Sequence, residues 1–112
     1  MEIKNSRFHN NVGSLGGAIY AITALAIEQK LKVESSHFIN NTALSSGAIH
    51  ISNHIIEIHD WYFESNSATL GHGGCLALYC PSFDNWEYDI YKNIFTKNSA
   101  AISGGAIKWN EI

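Results

Sequence analysis

A phenylalanine followed three residues later by an asparagine recurs four times in the 112-residue chain, and this repeat constrains the fold more than any other feature. The four pairs give a repeat of 25 to 32 residues: Phe8 with Asn11, Phe38 with Asn41, Phe63 with Asn66, and Phe95 with Asn98. A pair of small residues follows each asparagine and precedes an apolar segment: Gly16-Gly17, Ser46-Gly47, Gly73-Gly74 and Gly104-Gly105. A period of this length is typical of a solenoid, in which one repeat can bury its apolar face only against its neighbours.

Two segments of each repeat alternate between apolar and other residues. Before each phenylalanine, apolar residues alternate with charged ones, and the charged positions are Glu2, Lys32, Glu57 and Asp89. After each small pair, apolar residues alternate with Tyr20, His50, Ala77 and Lys108. Alternation with period 2 is typical of strands that bury one face, so both segments are predicted strands with these residues on the outer face.

The first of these strands must bend before it reaches the phenylalanine. Its last apolar residue, Ile3 in the first repeat, lies five positions before Phe8. Because five is an odd number, a straight strand would point the two side chains to opposite faces. We expect the bends at Asn5-Ser6, Ser35-Ser36, Asp60-Trp61 and Lys92-Asn93, most of which are residues suited to turns.

The repeat predicts an all-β fold, a right-handed parallel β-helix of three to four rungs, each with about three short strands and three corners. Equivalent residues of successive rungs then stack about 4.8 Å apart. The phenylalanines fill the core, and each asparagine turns a corner with left-handed backbone while its amide joins a ladder. The glycine pair supplies positive φ or room for a neighbouring backbone. Residues 22–34 also have helical propensity, but Leu31 and Val33 fit the strand register, so a strand is preferred.

The paired motif, Phe-x-x-Asn followed by Gly-Gly-Ala and an aliphatic residue, resembles the repeat of the polymorphic outer-membrane protein family of chlamydial surface autotransporters. The resemblance covers essentially the whole chain. It departs at Ser46, which replaces the first glycine, and at Cys75, which replaces alanine, and both replacements keep a small side chain. The resemblance implies a right-handed β-helical passenger on a cell surface, associated with adhesion and surface display, and it transfers no catalytic residues.

Composition argues against several functions. The net charge is −3 and the seven basic residues are scattered, whereas a nucleic-acid partner requires clustered Lys or Arg. The longest apolar run, residues 18–27, contains Tyr20 and Thr23 and is too short to insert into a membrane. No secretion leader is expected within these residues. No cofactor and no metal ion are expected either.

Two patterns suggest catalysis, and both have a simpler interpretation. Residues 71–73 read Gly-His-Gly, as in β-helical polygalacturonases, but the other motifs of those enzymes are missing, so His72 is interpreted as a corner insertion. The acidic residues Asp84, Glu87 and Asp89 could supply the carboxylate pair of a glycosidase, although nothing in the sequence fixes two of them at a reactive distance. We therefore predict no catalytic residues and keep a carbohydrate-active lyase or hydrolase as the alternative.

Two surface features are candidates for contact or modification. The longest departure from the repeat is an irregular corner loop at residues 80–89, and loops on a rigid scaffold often bind ligands. Aromatic residues in and beside it could stack on sugars or bury against a protein: Phe83, Trp86, Tyr88 and Tyr91. A loop tucked over the coil is the competing interpretation. Asn40 begins an Asn-Asn-Thr sequon, a possible glycosylation site if the protein is secreted by a eukaryote.

The histidines and cysteines do not form a convincing site. His50, His54 and His59 are interpreted as surface residues, because their spacing does not force them together around a metal ion. Cys75 and Cys80 are too far apart along an extended chain to form a disulfide. Cys75 is expected to be packed, and Cys80 to be free.

The sequence thus predicts one β-helix segment, residues 1–112, with a non-enzymatic structural or adhesive function in an extracellular or cell-surface protein. Either the segment is part of a longer solenoid or short protomers stack end to end as a fibril, because no cap is recognisable. The expected partners are neighbouring rungs or copies of the same chain, and glycans or a surface protein are further candidates.

Overall fold

The computed structural model describes residues 2–22, 29–52, 54–80 and 88–111, which form four rungs numbered 1 to 4 along the chain. Each rung contains four strands, and the described residues include no helix. The strands of rungs 1 and 2 are β1 (Glu2–Lys4), β2 (Arg7–His9), β3 (Val12–Leu15), β4 (Ile19–Ile22), β5 (Gln29–Glu34), β6 (His37–Ile39), β7 (Thr42–Ser45) and β8 (Ile49–Ser52). Those of rungs 3 and 4 are β9 (His54–His59), β10 (Tyr62–Glu64), β11 (Ser67–Ala68), β12 (Leu76–Cys80), β13 (Tyr88–Tyr91), β14 (Ile94–Thr96), β15 (Ser99–Ala100) and β16 (Ile107–Glu111).

Equivalent strands of the four rungs pair in parallel and build four sheets. Sheet A contains β1, β5, β9 and β13, sheet B contains β2, β6, β10 and β14, sheet C contains β3, β7, β11 and β15, and sheet D contains β4, β8, β12 and β16. The register aligns the four phenylalanines with one another in sheet B. The predicted parallel β-helix is therefore confirmed, and its right-handedness stays a prediction.

Each rung has four strands and not the three that the sequence predicted. The additional strand is that of sheet C, such as Val12–Leu15, which lies between the asparagine and the small pair. Its residues pair along the stack, as Gly13 does with Ala43 and Ala43 with Ala68. Because the chain turns at both motifs, the short segment between them has its own direction and forms its own sheet.

Residues with positive φ turn three of the corners in every rung. The predicted bends between sheets A and B are confirmed, with φ of 49 to 58° at Asn5, Ser35, Asp60 and Lys92. At the corner between sheets B and C, the ladder asparagines were predicted to have left-handed backbone. This prediction is wrong in detail, because the left-handed residue is the one before each ladder asparagine: Asn10, Asn40, Ser65 and Lys97. The first member of each small pair turns the corner before sheet D, and Ser46 does so with φ of 61°.

The core is a column of aromatic rings flanked by aliphatic side chains. Adjacent phenylalanine rings lie 4.7 to 5.3 Å apart between centroids, and Phe38 and Phe63 are fully buried. Phe8 and Phe95 are half-buried, since each has a described rung on one side only. Trp61, predicted at a bend, points into the core, where its ring lies 4.6 Å from that of Phe38 and its Nε1 donates to the Val33 carbonyl.

Two sequence predictions concern the strands that flank residues 23–28 and residues 81–87, which lie outside the described residues. Gln29–Glu34 is a strand, so the helical alternative for residues 22–34 is wrong there, and residues 23–28 lie outside the description. Of the predicted corner loop 80–89, Cys80 is the last residue of β12, and Tyr88 and Asp89 belong to β13. Residues 81–87 lie outside the described residues.

The outer face of sheet D is less exposed than its alternation predicted. Tyr20 is 54% exposed, but His50 is only 7% exposed and Ala77 is fully buried. The His50 ring lies between the rings of Tyr20 and Tyr79, at 5.3 and 4.8 Å. Ala77 is a single methyl group in register with the larger His50 and Lys108 side chains. The outer positions of the two inner rungs, His50 and Ala77, are thus covered by their neighbours and not by water.

Candidate functional site

The four repeated asparagines form a hydrogen-bonded ladder along the corner between sheets B and C. Asn41 Oδ1 accepts from both the backbone N–H and the side-chain amide of Asn11, at 3.1 and 3.0 Å. Asn41 Nδ2 donates to the Phe8 carbonyl and to Asn66 Oδ1, each at 2.9 Å. Asn66 repeats this pattern toward Phe38 and Asn98. Each inner asparagine therefore uses all four of its side-chain hydrogen-bonding sites while fully buried.

A second, interrupted ladder lies at the corner between sheets A and B. Ser36 Oγ accepts from the backbone N–H of Ser6 at 3.2 Å and donates to the Glu34 carbonyl. Asn93 Oδ1 accepts from the backbone N–H of Trp61 at 3.1 Å. The sequence contained the signal for it, a polar residue two positions before the phenylalanine in three of the four repeats, but Trp61 interrupts the pattern in rung 3.

The second member of each small pair lies where successive rungs approach most closely. A side chain at Gly17, Gly47 or Gly74 would collide with the carbonyl oxygen of the equivalent glycine in the following rung. At Gly105, in contrast, an added Cβ would meet only the Asn98 carbonyl, at an ordinary 3.5 Å. The glycine requirement thus arises from stacking and disappears where no described rung follows.

The carboxylates on the outer face of sheet A are engaged in ion pairs. Glu57 contacts Lys30 at 3.1 Å and Lys32 at 4.0 Å, and the hydrogen bond from Lys30 holds the pKa of this carboxyl below its usual range. A hydrogen bond from Lys4 likewise lowers the pKa of Glu34. The general acid of a glycosidase needs a raised pKa. Because the pKa of Glu57 and of Glu34 is lowered instead, these carboxylates are suited to ion pairs with lysine on the surface. Asp89 is exposed in register with Glu57, whereas Asp84 and Glu87 lie outside the described residues.

The histidines occupy separate places. The buried ring of His50 has Ser46 Oγ 3.0 Å from Nδ1 and Ser52 Oγ 3.4 Å from Nε2, which corrects its prediction as a surface residue. His59 lies on sheet A, with Nδ1 2.8 Å from Asp60 Oδ2 and Nε2 3.3 Å from Glu34 Oε2. The side chain of His54 is outside the described residues. Among the residues that the structure describes, no group of His, Cys, Asp and Glu side chains is arranged to hold a metal ion.

The Gly-His-Gly segment and the cysteine behave as structural elements. His72 Nδ1 lies 2.7 Å from Ser103 Oγ, and the His72 carbonyl accepts from the backbone N–H of Ser46, so this residue takes part in rung stacking. Cys75 is fully buried, as predicted, and its thiol is free; burial raises the pKa of this thiol far above the usual range. The side chain of Cys80 lies outside the described residues.

The predicted contact residues are only partly within the described residues. Phe83 and Trp86 lie outside them, as does the side chain of Tyr88. Tyr91 is 46% exposed, and its ring stacks on that of His59 at 4.9 Å with an interplanar angle of 9°. Asn40, the sequon residue, is exposed, and its Nδ2 donates to Asn10 Oδ1 at 3.0 Å. The structure thus does not bring these residues together into one described site.

Comparison with known families identifies the repeat. The family model of the Chlamydia polymorphic membrane protein repeat matches residues 94–108, the segment of rung 4 that contains Phe95, Asn98 and the Gly104-Gly105 pair. Residues 94–108 are thus similar to a polymorphic membrane protein repeat. The predicted resemblance is thereby confirmed at residues 94–108, and the register aligns Phe8, Phe38 and Phe63 of the other rungs with Phe95 of the matched segment.

Other comparisons add no further relative. A search of curated proteins and a search of solved structures each found no match to the chain. Within the described residues, no helix has the length and hydropathy needed to cross a membrane. The polymorphic membrane protein repeat and the parallel β-solenoid together support a structural module of a surface protein.

Proposed function

We propose that the chain is a non-enzymatic spine of a cell-surface or secreted protein, which holds its outer faces in a fixed arrangement for adhesion. The observation that carries this proposal is that the repeated residues make contacts between rungs. The stacked phenylalanines, the ladder asparagines and the glycines at positions 17, 47 and 74 serve contacts between rungs, so these residues are not left to bind a substrate. The match to a polymorphic membrane protein repeat supports a surface location.

Surface exposure of the parent protein tests the location. Antibodies against this chain should label intact source cells, and external protease should remove the label. A signal that requires permeabilised cells would contradict the proposal. Beads coated with the chain should adhere to cultured cells, and equal adhesion of uncoated beads would contradict the adhesive role. Turnover of pectin-like or other acidic polysaccharides would support the enzymatic alternative instead.

The ends of the solenoid are suited to stacking on another rung of the same kind. Rungs 1 and 4 each pair on one side only within the described residues. At rung 1, no described residue donates to Asn11 Oδ1, and at rung 4 Asn98 Nδ2 uses one of its two hydrogens, for the Phe63 carbonyl. Placing rung 1 of a second copy after rung 4 would complete the ladder from Asn98 to Asn11 and continue the stack from Phe95 to Phe8. We include this head-to-tail association in the proposed function.

Gly105 provides a specific test of this stacking. In the isolated chain an alanine at this position is accommodated, but in a stacked assembly its Cβ would collide with the next rung, as it would at Gly74. Light scattering should show an open series of oligomers for the wild type and its loss for Gly105→Ala, at an unchanged unfolding midpoint. A wild type that remains monomeric at tens of micromolar, or a variant that associates equally, would contradict end-to-end stacking.

Sugar binding is a second candidate, favoured by the exposed ring of Tyr91. An exposed aromatic ring can stack on the apolar face of a sugar. A glycan-array signal that is lost on Tyr91→Ala and on Trp86→Ala would support it. A signal that survives both changes would refute this site.

A further inference from the structure

The last residues of the four strands of sheet A stack as one column on its outer face: Lys4, Glu34, His59 and Tyr91. His59 of rung 3 lies between Glu34 of rung 2 and Tyr91 of rung 4, and its side chain is only 13% exposed. A change in the charge of this ring therefore affects contacts among three rungs.

Both nitrogens of the His59 ring face carboxylate oxygens. Nδ1 lies 2.8 Å from Asp60 Oδ2, and Nε2 lies 3.3 Å from Glu34 Oε2 and 3.7 Å from Glu57 Oε1. An ionised carboxylate only accepts hydrogen bonds, and a neutral imidazole has a single N–H. A neutral ring would leave one nitrogen lone pair facing a carboxylate, whereas an imidazolium can donate to Asp60 and to Glu34 at the same time.

Tyr91 covers one face of the same ring. The two rings lie 4.9 Å apart between centroids and are inclined by 9°. A cation within about 6 Å of an aromatic face is attracted by the ring quadrupole. Partial burial raises the pKa of the Tyr91 hydroxyl, so this residue stays neutral over the range in which histidine titrates. The stacking thus favours the same charged form of His59 as the carboxylates do.

The surroundings of His59 carry net negative charge. Among the described residues, the ion pairs around this ring connect four carboxylates and three ammonium groups: Glu2, Glu34, Glu57, Asp60, Lys4, Lys30 and Lys32. Asp89 of β13 is in register with Glu57 and adds an exposed carboxylate to the same face. An imidazolium reduces this excess of negative charge.

His50 has the opposite surroundings. Its ring nitrogens lie 3.0 and 3.4 Å from the hydroxyl oxygens of Ser46 and Ser52, and burial lowers its pKa. A hydroxyl can donate as well as accept, so a neutral ring satisfies both contacts. Burying a charge without a charged partner costs more than a partly exposed ion pair contributes, so the wild type as a whole still loses stability in acid. The effect of His59 is therefore measured by comparison with a variant.

We propose that His59 forms a proton-dependent clamp on sheet A, which joins rungs 2, 3 and 4 more tightly when the ring is charged. The charged ring donates to Glu34 and to Asp60 and stacks on Tyr91. Loss of the proton removes one donor and brings a lone pair against a carboxylate. Because these contacts form only in the folded chain, the clamp adds stability below about pH 6.5, where histidine is also charged in the unfolded chain, and its contribution is lost as pH rises.

Two carboxylates of the clamp stay ionised in mild acid. A hydrogen bond from Lys4 lowers the pKa of Glu34, and one from Lys30 lowers the pKa of Glu57. An ordinary glutamate titrates near pH 4.3, and histidine near about 6.5. A change from about pH 8.5 to about pH 5.5 therefore titrates histidine and leaves these partners charged.

Urea unfolding at about pH 5.5 and about pH 8.5 tests the clamp with His59→Gln, whose amide offers a donor and an acceptor, as the neutral ring does. All other titratable groups are common to wild type and variant, so their pH dependence cancels in the ratio of the variant's unfolding constant to that of the wild type. This ratio should be about fivefold larger at the lower pH. His37→Gln is the matched control, because His37 is exposed on sheet B, 5.8 Å from the Tyr62 ring, and its ratio should change less than about twofold.

Asp60→Asn provides a second variant if His59→Gln fails to fold. The Asp60 side chain is 50% exposed, and asparagine tolerates the φ of 58° at this position. Its ratio should also be larger at the lower pH, by about threefold. Combining the two substitutions gives a double-mutant cycle, in which the coupling between His59 and Asp60 should be about threefold stronger at the lower pH.

Ratios that are equal at the two pH values for both His59→Gln and Asp60→Asn would overturn the clamp. So would a His37→Gln ratio that changes as much as that of His59→Gln, because the effect would then follow from the loss of any histidine. The same ratios are expected in the Gly105→Ala chain, so the outcome is separate from that of end-to-end stacking.

Discussion

Replacement of a single inner ladder asparagine tests how much of the stability depends on the ladder. The side chain of Asn41 makes four hydrogen bonds while fully buried, to Asn11 twice, to the Phe8 carbonyl and to Asn66. At about 1 kcal/mol for each bond, Asn41→Ala should lower the free energy of unfolding by about 4 kcal/mol. Urea unfolding followed by far-ultraviolet circular dichroism measures this change.

The adjacent residue provides a matched control. Asn40 is exposed, and its side-chain amide donates a hydrogen bond of 3.0 Å to Asn10 Oδ1. Serine tolerates the same left-handed backbone at the equivalent position of rung 3, where Ser65 has φ of 55°. Asn40→Ser should therefore cost less than about 1 kcal/mol. If Asn41→Ala and Asn40→Ser have equal effects, the ladder is not a major source of stability.

Asn41→Asp adds a pH-dependent version of the same test. The carboxylate keeps the shape of the amide but cannot donate to the Phe8 carbonyl or to Asn66 Oδ1, and burial should raise its pKa above about 3.9. A raised folded-state pKa means that the protonated form is preferred on folding, so the stability deficit relative to wild type should grow as pH rises from 4 to 7. A deficit that is constant over this range would refute the proposed burial of the carboxyl.

Three further predictions concern single positions. Gly47→Ala should prevent normal stacking and cost more than about 3 kcal/mol, because its Cβ would collide with backbone of rung 3. At Gly71 an added Cβ would meet the Ser45 side chain at 2.9 Å and the Leu44 carbonyl oxygen at 3.3 Å, so Gly71→Ala should cost less, and urea midpoints of the two variants compare them. Burial lowers the pKa of His50, so the wild type should lose stability as pH falls below about 6.5, and His50→Gln should lose less over that interval. In a Cys80→Ser background, the buried Cys75 thiol should resist a thiol reagent at pH 8 until urea unfolds the chain, and rapid labelling of the folded chain would contradict its burial.

The features that were predicted from the sequence are those that recur at equivalent positions of every rung. Phe8 and Asn11 recur because equivalent positions of successive rungs meet the same neighbours, so one side chain that fits once fits again. For the same reason the register of Glu2, Lys32 and Glu57 followed directly from their alternation with apolar residues. Periodicity thus determined the fold, the aromatic core and the ladder.

The features that the sequence did not predict depend on contacts that are unique to one rung or one sheet. Trp61 occupies a position that is polar in the other repeats, and only its contacts with the rings of Phe38 and Phe63 explain its inward orientation. His50 is buried because Tyr20 and Tyr79 lie on either side of it, which alternation along a single strand cannot reveal.

The sequence by itself determined that the chain is a stack of like units and which side chains hold the units together, because a solenoid converts repetition along the chain into contact between rungs. Only the tertiary structure showed that the segment between the asparagine and the glycine pair forms a sheet of its own. The stretches without Asp, Glu, Lys or Arg at residues 11–22, 41–52, 66–80 and 98–107 become one surface only when that sheet aligns them, so this surface is a product of the fold.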